Sequence, residues 1–303
     1  MTDELEAIGR KIAALDMWDA IAPYNWAIKP RGVAFPYFCT LAGRQAARTD
    51  FMLLEGWQTF HDYIRTRIDA NFGFYTSCQE FAQFTLETGA AGVRVRRRDP
   101  GYVERDVTDA EARLCAKILW EAYGVMLRIE SEKDLAMKYA AENAIFSRVE
   151  GADGVWRDEP LAVPVPRPHV EHLSFPKKDI AAAKDLPFAT EEAIAVDFRF
   201  VPQLMSNEPR PRAAYMLVIV NAKTGEKLLA LRLAINPESG LRGLWEAMPA
   251  RFLKALLASG RIPGEIQVGS LRMFRMLSPL CRELPFKLSL HDKLEHMDAQ
   301  FMV

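Results

Sequence analysis

Hydrophobic and polar positions change period several times along the chain, and each change predicts a different element. Leu5, Ile8, Ile12, Leu15 and Trp18 recur at helical spacing, which predicts an amphipathic helix at the start. Residues 35–41, 50–54, 79–87 and 92–98 are rich in aromatic, aliphatic or alternating positions and predict strands. Thr108-Asp109-Ala110-Glu111 is a capping box, in which hydroxyl and carboxylate each satisfy a backbone N–H, and it opens a helix to about residue 129. Two alternating runs, 145–149 and 155–163, flank the turn-forming Gly151-Ala152-Asp153-Gly154 and predict a hairpin. After residue 190 the pattern gives three strands in succession (193–201, 213–221, 228–235). Helix 244–259, strand 265–268, helix 271–284, strand 286–290 and helix 292–301 follow.

Proline punctuates this order. Pro160, Pro164, Pro166, Pro168, Pro176 and Pro187 fall between the two halves, and prolines at that density disfavour a helix or a central strand. The expected organisation is an α+β domain at 1–150, an extended Pro-rich linker at 151–190 and a second domain at 191–303. The 303 residues, half of them apolar, suffice for two cores. Thirty-nine basic against forty acidic residues leave a formal charge of -1, so no overall field attracts nucleic acid or an anionic membrane. Cys39, Cys78, Cys115 and Cys281 are scattered, which argues for reduced thiols and against a disulfide-linked partner. An acidic start and the lack of a long apolar run give a cytoplasmic protein without a membrane contact as the expectation.

The order β-β-β-α-β-α-β-α in the second half is that of the ribonuclease H-like fold, an α/β domain on a mixed sheet. Nucleases of that fold place carboxylates on the first strand, at the end of the fourth and on the last helix, so that divalent cations clamp the reacting phosphate. Asp197 stands where the first acid belongs, and Asp292, Glu295 and Asp298 fall on the predicted last helix. The fourth strand ends in Gly269-Ser270 instead of an acid, and Glu265 lies at its other end. A nuclease using Mg or Mn would therefore rest on Asp197, Asp292 and Glu295 as both catalytic and metal-ligating residues, with Glu265 or Asp298 completing the set. The plainer expectation is that Asp197 faces solvent while Val196 and Phe198 face the core.

Other constellations are less complete. On a helix, His291 and Glu295 would share a face, as would Asp292 and His296, and either pair could bind a transition metal or form a surface ion pair. His169-Val170-Glu171-His172 lies in the Pro-rich stretch, where no regular element would fix the imidazoles. Alternation puts Arg94, Arg96 and Arg98 on one side of a strand, which could contact successive nucleic-acid phosphates or guard a charged edge. Phosphate-binding glycine loops and the nucleophile elbow are absent from the sequence.

Asp16-Met17-Trp18, the strand at 37–43 and Asp99-Pro100-Gly101-Tyr102-Val103 leading into 108–119 resemble a family of uncharacterised bacterial two-domain proteins. So does the second half, with Trp245 ahead of Pro249 and with Arg261-Ile262-Pro263 before a strand. The resemblance implies two domains and a bacterial source, and carries no activity. The functional expectation is a non-catalytic binding or accessory protein that needs no cofactor and has an unidentified protein or nucleic-acid partner. The alternative is a divalent-metal-dependent nuclease acting on DNA or RNA, so whether the chain is an enzyme stays open at this point.

Overall fold

The computed structural model describes residues 3–15, 18–21, 24–45, 48–68, 81–89, 92–132, 134–165, 175–204 and 209–301. The chain is α+β and divides into two compact units. The first comprises Met1–Ile64, Phe81–Asp99 and Glu104–Arg167; the second comprises Arg65–Glu80, Pro100–Val103 and Pro168–Val303.

The first unit is an eight-stranded sheet in the order β6-β5-β4-β3-β2-β1-β7-β8. Its strands are β1 (Trp26–Lys29), β2 (Tyr37–Gln45), β3 (Arg48–Glu55), β4 (Gln83–Gly89), β5 (Gly92–Arg98), β6 (Arg105–Asp106), β7 (Ala144–Glu150) and β8 (Trp156–Ala162). Among the described residues only the β1 and β7 pairing of this sheet is parallel. One face packs on helix α1 (Asp3–Ala13) and on the long helix Asp109–Ser131, with the short α2 (Trp18–Ile21) alongside. The other face packs on α3 (Gly56–Ile68), whose Phe60 stacks on Phe38 at 4.2 Å between ring centroids.

The long helix, α4, buries Ala112, Cys115, Leu119, Ala122, Met126 and Ile129, a stripe at steps of three and four that the sequence pattern anticipates. Its capping box is formed as expected: Thr108 accepts from the Glu111 N–H, and the Glu111 carboxylate accepts from the Thr108 N–H. Arg105 adds a two-pronged pair at 2.7 Å, and this guanidinium, with the cap bonds, pulls the Glu111 carboxyl down to about 2. The folded value lies below the unfolded one of about 4.3, so the stabilisation is complete above the unfolded value and is lost as pH falls through the folded one. Glu111→Gln should therefore be less stable than the parent by up to about 1 kcal/mol at neutral pH. The gap should close on acid titration from about pH 5 to about pH 2, followed by hydrogen exchange in the first turns of α4.

The stretch expected to be linker is largely built into the two units. Trp156–Ala162 is β8, paired along its length with β7, and Pro160 is accommodated because β8 is an edge strand. Lys177–Lys184 is a helix, α5, where only Ala183 is fully buried. Residues 166–174, including His169 and His172, lie outside the described residues.

The second unit holds a five-stranded sheet in the order β11-β10-β9-β12-β13. The strands are β9 (Phe188–Leu204), β10 (Ala213–Asn221), β11 (Lys227–Leu233), β12 (Ile262–Val268) and β13 (Lys287–Leu290). The first three form an antiparallel meander, and β12 and β13 are added parallel to β9 through helical crossovers, as the element order predicts. Helices α6 (Gly240–Glu246), α7 (Met248–Ser259) and α8 (Leu271–Leu277) cover one face. The opposite face is covered by the C-terminal segment through Leu294 and Met297. That segment corrects one expectation, since the helix foreseen over 292–301 is only a terminal turn, α9 (Asp298–Phe301), preceded by bends and turns.

Candidate functional site

Asp197 lies in the middle of β9 and points away from the helices, toward the face that the C-terminal segment covers. This overturns the expectation that it faces solvent, because its own alternation is right but the second face is also buried: Asp197 is 3% exposed. A carboxylate removed from water needs a compensating charge or hydrogen bonds. The Phe198 N–H donates to Oδ1 at 2.8 Å, and the Arg199 Nε donates to Oδ2 at 2.5 Å. Arg199 is two residues along the same strand and so shares the face with Asp197. Its Nη1 donates to Asp298 Oδ1 at 2.6 Å, and its guanidinium lies 4.9 Å from the centroid of the Phe301 ring.

The first-strand acid and the acid of the final turn therefore converge, and an arginine stands between them. Burial pushes the Asp197 carboxyl up, opposed by Arg199 and the Phe198 N–H. Burial acts against the Arg199 charge, yet the two carboxylates outweigh it and hold the guanidinium's pKa above its ordinary value.

One step past the paired residues Val196, Val268 and Leu290 come Asp197, Gly269 and His291, adjacent across three strands. At Gly269 a Cβ would stand 3.6 Å from Asp197 Oδ2 and 3.2 Å from Leu294 Cδ1. The end of the fourth strand of this unit thus approaches the Asp197 carboxylate, but it brings no side chain, and a leucine fills the space above it.

Asp292 and Glu295 do not join this arrangement. Both are exposed in the turns before α9, so the expected helical faces pairing His291 with Glu295 and Asp292 with His296 do not form. His296 packs against the turn at Gly225, whose Cβ would stand 2.8 Å from the His296 Cγ. Among the described residues, no three His, Cys, Asp or Glu side chains stand close enough to hold a metal ion.

His291 and Glu265 meet elsewhere on the same face. The Ser289 hydroxyl lies 2.8 Å from Glu265 Oε1 and 2.9 Å from His291 Nε2, with Lys287 Nζ 3.2 Å from the same carboxylate oxygen. The Ser289 hydroxyl, then Gln267 and Lys287, hold the Glu265 carboxyl below its usual range. The His291 backbone N–H donates to the Val268 carbonyl at 3.0 Å, which ties the start of the C-terminal segment to β12.

Alternation puts Arg94, Arg96 and Arg98 on one side of β5, and each faces an acid in β6 or just before it. Arg94 pairs with Asp106 at 2.8 Å, Arg96 with Glu104 at 3.3 Å, and Arg98 with Glu104 at 3.0 Å. Cys39, Cys115 and Cys281 are free thiols, and Cys78 lies outside the described residues. Among the described residues no helix is long and apolar enough to cross a membrane.

The unit that carries Asp197 is also where the chain is similar to a known family. Residues 179–302 match the family model DUF6930, described as a domain of unknown function. The DUF6930 match begins inside α5 and runs to the last turn, so it takes in the whole five-stranded sheet, Arg199 and Asp298, and covers less than half of the chain. No curated protein and no solved structure matches the chain. The DUF6930 description assigns no activity, and the function is uncharacterised on these comparisons.

Arg199, the residue paired with Asp197, is not among the candidates that the sequence pattern singles out. The signal was present in Asp197-Phe198-Arg199, since residues two apart on a strand share a face and a buried acid demands a partner there.

Proposed function

We propose that the chain is a non-catalytic binding or accessory protein whose DUF6930-matching unit is a degenerate ribonuclease H-like domain. The observation that carries this reading is the Arg199 guanidinium held between Asp197 and Asp298. A divalent cation in a nuclease of this kind needs several oxygen ligands in near-octahedral array. The donor set around Asp197 does not fit one: its carboxylate is buried against a fixed guanidinium, the neighbouring position on β12 is Gly269, and Leu294 lies above it. The strand order and directions support the ribonuclease H-like assignment, with β9, β10, β11, β12 and β13 in the places of that fold's five strands. The partner is a protein or a nucleic acid. The acids facing Arg94, Arg96 and Arg98 weigh against phosphate contact through that strand. A bacterial source and a cytoplasmic location belong to the same reading.

The rival reading is a Mg- or Mn-dependent nuclease built on Asp197, Asp292 and Glu295. It requires Arg199 to leave Asp197 and both exposed carboxylates to move in. The test is to titrate Mn²⁺ into the full chain, following the thermal midpoint and the cleavage of labelled DNA, RNA and a hybrid duplex. A metal that binds the folded state raises its midpoint. The expected result is neither a rise nor cleavage. Mn²⁺-dependent cleavage that disappears in Asp197→Asn, with the variant still folded, would overturn the proposal.

A further inference from the structure

On the other face of the same sheet, away from Asp197, the core is incomplete. Phe252, Leu253 and Leu256 of α7 fill the space against the sheet, but toward its C-terminal end the helix offers Ala255 and Ala258. These alanines leave a cavity of about 280 Å³ walled on the sheet side by Ile194, Ile219 and Leu229. The opening is framed by Glu192 of β9, in the stretch where Thr190–Glu192 stands opposite the single residue Gly264, and by Arg261, which immediately precedes β12.

The rim fixes the chemistry of what can enter. Arg261 pairs with Glu192 through two contacts, Nε to Oε2 at 2.5 Å and Nη2 to Oε1 at 2.9 Å, so the two charges at the mouth cancel. The walls behind this pair are mostly aliphatic, and the Ser259 hydroxyl among them already donates to the Leu256 carbonyl at 2.7 Å. A charged ligand would have to break the Glu192–Arg261 pair or lose hydration without compensation, whereas an uncharged apolar molecule gains the burial of its surface. An enclosed apolar space of about 150 Å³ already accepts a benzene ring. The larger volume here, open to solvent at its mouth, suits a bicyclic ring or a short branched alkyl group.

We infer that this cavity is a binding site for a small, uncharged, apolar molecule, in a place separate from the Asp197 site and independent of the function proposed for it. Indole serves as the probe. With methyl-labelled full-length protein, indole should shift the Ile194, Ile219 and Leu229 methyl signals in a saturable way and give intermolecular NOEs to them. Ala258→Phe, which fills the mouth from an exposed helical position, should weaken this binding at least about tenfold, equivalent to about 1.4 kcal/mol. Indole-3-acetate and tryptamine should each bind at least about tenfold more weakly than indole. The proposal fails if indole gives no shift of those methyls up to its solubility limit, or if its NOEs fall on other methyls. It also fails if binding persists in folded Ala258→Phe, or if either charged analogue binds as well as indole. The NOEs are read on the parent protein, so they decide the matter even if Ala258→Phe does not fold.

Discussion

Arg199→Ala should destabilise the second unit by about 3 kcal/mol at neutral pH. Removing one partner of a buried ion pair leaves the other charge uncompensated, which costs about 3–5 kcal/mol when both are fully enclosed. The lower end applies because the Arg199 side chain is 41% exposed, so water can reach the gap, while the Asp197 side chain alone is 5% exposed. Phe198 would still donate one hydrogen bond to the stranded carboxylate. The pH dependence separates this cause from lost packing. Burial already raises the Asp197 carboxyl, and without Arg199 it must rise further. A group whose folded value lies above its unfolded one favours the fold at low pH, and that preference is lost as pH rises through the folded value. The penalty for Arg199→Ala should thus be small near pH 4 and full near pH 8. Adding Asp197→Asn should recover part of the stability at pH 8, because an amide carries no charge to strand. Hydrogen exchange in β9 and β10 assigns the loss to the second unit. A loss below about 1 kcal/mol, or one independent of pH, would show that the guanidinium does not serve as the compensating cation.

The sequence made the fold more legible than the site, and particular residues show why. The run 213–221 is apolar at nearly every position and bounded by turn formers, and it is β10 to the residue. The capping box fixed the start of α4 because its two side chains act locally, without help from distant contacts. The short β1 and the helix α3 were not anticipated. Trp57, Phe60 and Ile64 do recur at helical spacing, but Gly56, with φ of +77°, gives no start signal and follows directly on a strand. The last helix was over-read for the opposite reason. Leu294 and Met297 are three apart and both buried, a spacing that turns lying across a sheet satisfy as well as a helix does. The candidate site suffered most from contacts remote in sequence. Asp197 meets Asp298 through Arg199, and Leu294 covers Gly269, relations that no local pattern encodes.

Gly264→Ala should be at least as damaging, costing more than about 3 kcal/mol. Its Cβ would stand 2.1 Å from the Thr190 carbonyl oxygen, 2.7 Å from the Thr190 carbonyl carbon and 3.0 Å from its Cα. All three are backbone atoms of the adjoining strand, so no side chain can rotate away. Overpacking a flexible neighbour costs about 1–3 kcal/mol, and here the relief must come from parting β12 and β9 or reshaping the bulge. Neither is cheap. Parting the strands breaks parallel ladder bonds at the centre of the sheet, where β12 joins β13 to the meander. Reshaping the bulge changes the register by which Glu265 faces Ala193 and Gln267 faces Ala195, and a shift of one residue would turn Ile266 and Val268 out of the helix-covered core. Chemical denaturation followed by hydrogen exchange in β12 and β13 measures the loss. A stable Gly264→Ala protein, within about 1 kcal/mol of the parent, would mean that β9 and β12 do not approach at Thr190 as described.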